Sequence, residues 1–182
     1  TPINGILGMM QIIRTHWGDL DKLNDCMKKI ETCARHLNEL VNDVLNMSKI
    51  ESNHMEFVNE PFDLVEVMED VANLVDGQSK ANHILHNRYR ENIRHTHLVG
   101  DSLQLRRIMI NLLSNAIKYN KPNGTIDTYA KEVSWDENTA TFEFKIIDTG
   151  IGMSQEYIDH ELFEPFTQVK KDARTRYKGT GL

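Results

Sequence analysis

The chain has 182 residues, 40% of them hydrophobic and 26% charged, with a formal net charge of −6. That length admits one domain or two small ones with a real core. The acidic balance argues against a nucleic-acid binder, which needs a basic surface, and no run is long and apolar enough to cross a membrane or to read as a signal peptide.

In chain order, residues 3–17 read as the tail of a helix, with Ile3, Ile6, Met10 and Ile13 at helical spacing. Gly18-Asp19 breaks the pattern, and Asp19 can cap the next helix. From about residue 20 to 49, Leu23, Ile30, Leu37 and Val44 recur every seven residues. Cys26, Cys33, Leu40 and Met47 follow three later, and Met27, Ala34 and Val41 widen the stripe. The face is broader than a two-helix seam requires, so the prediction is a helical hairpin that pairs with a second copy as a four-helix bundle. One long helix packed on its own globular domain is the alternative. Cys26 and Cys33 share a face two turns apart, too far to bond to each other. They read as small apolar core residues in a reducing, cytoplasmic compartment.

The stripe ends near Ser48, and Pro61 stops helix. Met55-Glu56-Phe57-Val58 is a short strand candidate, and the domain boundary is placed near residues 52–54. The joint reads either as a hinge or as a rigid connection. Asp63 caps a helix with Glu66 three residues later, and Leu64, Val67, Met68, Val71 and Leu74 form its buried face. Residues 84–90 and 97–100 read as strands. His83, His86, His95 and His97 lack a closed metal-ligand spacing and read as surface residues.

A helix from 101 to about 120 comes next, with Leu105, Ile108, Met109, Leu112, Leu113 and Ala116 as its apolar face. Asn111, Asn115 and Lys118 lie four and three residues apart on another edge. Two carboxamides and an ammonium suit a nucleotide phosphate carrying magnesium, because a carboxamide oxygen is a hard ligand and lysine neutralises phosphate. An ordinary exposed polar edge reads equally well from this segment alone. Lys121-Pro122-Asn123-Gly124 ends the helix. Strands at 125–133 and 139–147 then join through Asp136-Glu137-Asn138, and Phe142, Phe144 and Ile146 share one face. The expected architecture is α+β: a helical hairpin, then an α/β sandwich with an antiparallel-rich sheet and helices on one side.

Asp148 closes the last strand, and Thr149-Gly150-Ile151-Gly152 lets the backbone turn close to a ligand. A carboxylate here can accept a hydrogen bond from the exocyclic amine of adenine, where guanine presents a carbonyl. A plain strand-end turn is the bland reading. Phe163-Glu164-Pro165-Phe166 sets two aromatics around a kinked turn. Lys170, Lys171, Arg174, Arg176 and Lys178 then suit either a flap over triphosphate or a solvated basic loop. Gly179-Thr180-Gly181 can present backbone N–H groups to phosphate.

Four stretches in this order, 111–119, 148–152, 163–166 and 179–182, resemble the ATP-binding domain of sensor histidine kinases. Thr1-Pro2-Ile3-Asn4-Gly5-Ile6-Leu7-Gly8 looks like the residues just after that family's phosphorylated histidine. The resemblance runs almost end to end. It implies a dimerisation and phosphoacceptor hairpin over 1–52, a linker and first strand over 53–62, and a GHKL-type catalytic domain over 63–182, cut at its second glycine motif. The phosphoaccepting histidine would lie four residues before Thr1, and Thr1 would occupy the place that positions water for a phosphatase reaction. The resemblance further implies ATP and Mg2+ as cofactors, with Asn115 on the metal. Asn111, Asn115, Lys118, Tyr119, Asp148, Gly150, Gly152, Phe163, Phe166, Gly179, Thr180, Gly181 and Leu182 would bind the nucleotide. Phe163 and Phe166 would flank the hinge of a lid. The implied partners are a second copy through the hairpin and the receiver domain of a response regulator, with no nucleic acid and no membrane contact from these residues. Many members carry an arginine shortly after the second phenylalanine, where this chain has Thr167-Gln168. The basic lid residue on the terminal phosphate is therefore open.

Related gyrase-type ATPases place a glutamate one turn before the magnesium-binding asparagine, and this position holds Asn111, which takes no proton at neutral pH. The expected reaction is therefore transfer to an imidazole from the hairpin rather than to activated water. The competing readings are an ATP-driven clamp and a non-catalytic module that binds nucleotide or partner. The chain starts mid-pattern and stops within a glycine motif, which reads as a piece of a longer protein.

Overall fold

The computed structural model describes residues 2–52, 57–164 and 167. The chain divides into two compact units, the first built on the helices of residues 2–52 and the second an α/β unit whose elements lie within residues 57–163.

The helical unit is a hairpin of α1 (Pro2–Thr15) and α2 (Leu20–Glu51). Pro2 sits at the first helical position, where its missing N–H would have had no intrahelical partner. Between the helices, Asp19 accepts a hydrogen bond from the Lys22 N–H at 3.1 Å, the cap expected of it. The helices approach closely at Gly5, where an added Cβ would lie 2.8 Å from Cys33 Sγ. Cys26 is buried and Cys33 half-buried, in keeping with small core residues. The widened stripe stays uncovered by this hairpin: Met27, Val41 and Val44 are 63%, 49% and 48% exposed.

In the α/β unit, β1 (Glu60–Asp63) pairs antiparallel with β3 (His97–Gly100), and β2 (Leu85–Glu91), β4 (Thr125–Trp135) and β5 (Ala140–Asp148) form a second sheet in the order β2-β4-β5. β2 runs parallel to β4 and β4 antiparallel to β5. The strand predicted over 55–58 is corrected by this arrangement, since the described part, Phe57 and Val58, is not in a strand. The Val58 N–H instead meets the Asp101 carboxylate at 3.1 Å. The strand forms five residues later and tolerates Pro61, because β1 hydrogen-bonds to a neighbour on one side only.

Helices α3 (Leu64–Ala81) and α4 (Ser102–Lys118) supply the other side of the core, with a short α5 (Gln155–His160) after the sheet. Asp63 Oδ1 accepts from the N–H groups of Val65 and Glu66, and Asp101 Oδ1 from that of Gln104 at 2.9 Å. The backbone N–H groups of Gln104 and Val58 hold the Asp101 carboxyl below the usual carboxylate range. Leu64, Val71, Leu113 and Ile126 are almost fully buried, each contributing roughly 1.5–3 kcal/mol of transfer free energy. Two buried faces are rotated from the predicted ones. On α3, Val75 is inside and Leu74 is 57% exposed. On α4, Met109, Leu113, Ala116 and Ile117 are buried, while Ile108 and Leu112 are 57% and 50% exposed. The helix turns about 100° per residue, so one residue's rotation exchanges these neighbours while keeping the period.

Among the four histidines read as surface residues, His86 is the exception: its side chain is 4% exposed. It bridges Asp76 Oδ1 and Thr128 Oγ1, both at 2.9 Å, and Arg88 meets the other Asp76 oxygen at 2.8 Å. His95 approaches the buried Glu132 carboxylate at 2.6 Å. Among the described residues no His, Cys, Asp or Glu cluster could hold a metal ion, and no helix is long and apolar enough to cross a membrane.

Candidate nucleotide-binding site

The polar edge of α4 forms as its spacing requires. Asn111 and Asn115 are exposed, one turn and about 6 Å of rise apart, and Lys118 lies half-buried in the last turn. Among the described residues neither carboxamide is engaged by another protein group in a hydrogen bond. The Lys118 ammonium donates to Tyr119 Oη at 2.8 Å and lies 4.5 Å from that ring's centre. A cation resting on its neighbour's ring is held near the edge without being buried. Beside the carboxamides, Ile108 and Leu112 give the helix an exposed apolar strip. The periodicity of the sequence assigns both to the core, and the structure does not.

The turn after β5 is fastened to the end of this helix. The Ile151 N–H donates to the Tyr119 carbonyl at 3.1 Å. The Thr149 hydroxyl donates to Asn120 Oδ1 at 3.0 Å and accepts from the Thr125 N–H at 2.8 Å. Asn120 Nδ2 donates to the Thr125 carbonyl at 3.0 Å. Asp148 therefore stands beside the last turn of α4 and the edge carrying Asn111, Asn115 and Lys118. It is exposed, and its Oδ1 accepts from the Gly150 N–H at 2.8 Å. This bond shapes the turn and leaves Oδ2 unengaged among the described residues. Gly152 has φ +67, a conformation that favours glycine. Ile151 and Met153 beyond the turn are 58% and 50% exposed, which adds apolar surface near the carboxylate.

Sequence reasoning misses Asn120 and Thr149 as site residues. In the sequence Asn120 reads only as a helix end and Thr149 only as a turn residue. Asn120 is one of three buried polar or charged residues among those described. A single chain gives no sign of that burial, since its partners lie up to 29 residues away.

Phe163 lies just past α5 and is 92% exposed. Thr1, Phe166, Gly179, Thr180, Gly181 and Leu182 fall outside the described residues, as does the basic stretch read as a flap.

Two family models match the chain. Residues 100–182 match the histidine kinase-, DNA gyrase B- and HSP90-like ATPase model, and residues 1–53 match the His Kinase A (phospho-acceptor) domain model. The autoinducer 2 sensor kinase/phosphatase LuxQ of Vibrio parahaemolyticus is 30% identical over 186 residues, covering all of this chain and 21% of LuxQ. The full-length ShkA structure in complex with AMPPNP is 26% identical with a TM-score of 0.71, over all of this chain and 36% of that one. Histidine kinase ThkA in complex with the response regulator protein TrrA shares the fold, at a TM-score of 0.65 and 20% identity, over 92% of this chain and 47% of that one. The chain spans about 15–25% of the length of the first curated relatives it matches.

Proposed function

Because this chain belongs to the sensor histidine kinases, joining a phosphoacceptor-type hairpin to an ATP-binding domain, we propose that its α/β unit holds ATP and presents the terminal phosphate to a histidine of the hairpin. The observation that carries this reading is the fastening of the Asp148 turn to the end of α4. One ligand could then meet a base-reading carboxylate and a phosphate-facing amide edge together. Asp148 accepts the exocyclic amine of adenine through its unengaged oxygen. Asn115 carries the magnesium ion that accompanies the triphosphate. Asn111 adds a polar contact, and Lys118 leaves Tyr119 to neutralise phosphate charge. The fit of magnesium rests on the donor type, an exposed carboxamide oxygen with no protein partner among the described residues. The ion would supply charge neutralisation at the phosphates.

Asn111 cannot serve as a base for water, which favours an imidazole acceptor over hydrolysis. In this scheme the acceptor histidine lies four positions before Thr1, and Thr1 takes the phosphatase position. Phe163, Phe166 and the 179–182 motif, with Gly179, Thr180, Gly181 and Leu182, close over the nucleotide. The hairpin pairs with a second copy through the stripe containing Met27, Val41 and Val44. The phosphoryl group then passes to a receiver-domain aspartate of a response regulator, in the cytoplasm where ATP is available. The match of the first 53 residues to a phospho-acceptor domain supports the pairing.

Calorimetry with Mg-ATP tests the nucleotide half. Wild-type chain should bind, and Asn115→Ala, which removes the ligand oxygen, should lose binding in magnesium while still melting cooperatively. Unaltered Mg-ATP affinity in Asn115→Ala would remove its assigned role. For the transfer half, a protein that includes the acceptor histidine should form an acid-labile phosphoryl adduct. Label appearing only as free phosphate would favour an ATPase instead.

A further inference from the structure

Beside the backbone bond from the Ile151 N–H to the Tyr119 carbonyl, two side chains link α4 to the Asp148 turn. Asn120, 7% exposed, directs Nδ2 to the Thr125 carbonyl, and its Oδ1 receives the Lys121 N–H and the Thr149 hydroxyl, all at 3.0 Å. The Thr149 oxygen in turn receives the Thr125 N–H at 2.8 Å. The end of α4, the start of β4 and the turn after β5 thus meet at one polar knot. It is tightly packed: a Cβ added at Gly124 would lie 2.6 Å from Thr149 Oγ1 and 2.9 Å from the Lys121 carbonyl oxygen. Every hydrogen-bonding atom of the two side chains is occupied. The Asn120 carboxamide would be expensive to bury otherwise.

We propose that Asn120 and Thr149 are positioning residues that set adenine preference by fixing the separation between the Asp148 carboxylate and the phosphate-facing edge of α4. This rests on the reading of Asp148 as the adenine acceptor. A nucleotide anchored by its phosphates on α4 delivers its base at a distance set by its own covalent frame. A hydrogen bond from the base to Asp148 survives only a few tenths of an ångström of error. Thr149 is adjacent to Asp148 in the chain, and Asn120 is two residues beyond Lys118. Their direct hydrogen bond therefore ties the base-reading group to the phosphate edge by the shortest side-chain route. Losing it leaves the Ile151 N–H bond to the Tyr119 carbonyl in place but lets Asp148, on the near side of Gly150, shift relative to the helix. The adenine contact weakens, whereas the phosphate-facing groups of α4, Asn111, Asn115 and Lys118, keep their places.

The test compares ATP and GTP affinities, by competition against a fluorescent nucleotide, in the wild-type chain and in Thr149→Val, Thr149→Ser and Asp148→Asn. Thr149→Val keeps the shape and removes the hydroxyl. It should weaken ATP about ten-fold and leave GTP within two-fold, so that the ATP/GTP ratio collapses toward that of Asp148→Asn. Thr149→Ser restores the hydroxyl and should recover the wild-type ratio. Thr149→Ala provides the same comparison should the valine variant not fold. An unchanged ratio in Thr149→Val, or a proportional loss of both nucleotides, overturns the positioning role. A wild-type chain that does not distinguish ATP from GTP, or that is indifferent to Asp148→Asn, overturns the reading of Asp148 itself and the positioning role with it.

Discussion

Gly150→Ala tests whether the strand-end turn is built for contact with α4 or is merely flexible. A Cβ at Gly150 would lie 2.6 Å from Asp148 Oδ1 and 3.0 Å from the Tyr119 carbonyl carbon, and closer still to the Tyr119 carbonyl oxygen. Asp148 can swing away, but the Tyr119 carbonyl is backbone at the end of a helix and cannot. Relief requires the turn to retreat by roughly 0.5–1 Å to reach ordinary contact distances. That movement breaks the Ile151 N–H bond to the Tyr119 carbonyl, at 3.1 Å in the native arrangement. Losing one such bond costs about 1 kcal/mol, and the residual overpacking strain roughly 1–3 kcal/mol more. A total of about 2–4 kcal/mol should appear as a lower urea midpoint with an unchanged slope. If Asp148 accepts the base amine, the same shift removes a hydrogen bond to a charged group, about 1.5–3 kcal/mol or a ten- to hundred-fold rise in the ATP Kd. Urea denaturation read by circular dichroism, with calorimetry of ATP binding, measures both. A Gly150→Ala protein with wild-type midpoint and affinity would refute the close-contact reasoning.

Gly152→Ala should behave differently, because nothing lies within 4 Å of its added Cβ and only its φ of +67 opposes a side chain. The expected loss is about 1 kcal/mol, partly recovered by Asn, as urea melts would show. For Glu132, burial favours the neutral acid, but the N–H groups of Arg94 and His95 and the His95 ring outweigh it and hold the pKa at about 2, against an ordinary 4.5. The folded pKa is the lower one, so its stabilisation is complete above pH 4.5 and is lost as pH falls toward 2. Thermal melts across that window should show Glu132→Gln with a flatter acid dependence than wild type. Met27→Glu places charge on the uncovered stripe of α2. It should halve the molar mass seen by light scattering at micromolar concentration while leaving helix content intact. A wild-type chain that is already monomeric there would count against pairing of the hairpin.

What the residues settled by themselves was local chemistry. Asp19, Asp63 and Asp101 cap helices because a short carboxylate reaches the orphan N–H groups of the next turn. Asp136 closes the β4–β5 turn by accepting the Asn138 and Thr139 N–H groups. Pro122 and Asn123 were legible as a helix stop, and the chain there turns with the Gly124 N–H bonded to the Lys121 carbonyl and φ +57 at Asn123. The polar edge of α4 was equally legible, since helical spacing alone aligns Asn111, Asn115 and Lys118.

Only tertiary structure decided which way each amphipathic helix faces. Ile108 and Leu112 against Met109 and Leu113, or Leu74 against Val75, differ by one residue's rotation, and the sheet beneath chooses between them. The parallel pairing of β2 with β4 was beyond reach for the same reason, because strands 40 residues apart reveal no direction by their composition. Burial of His86, Glu132 and Asn120 was hidden as well. Each is a polar residue whose desolvation is offset by partners up to 42 positions away, and until the fold brings those partners within about 3 Å, water is the better solvent for it.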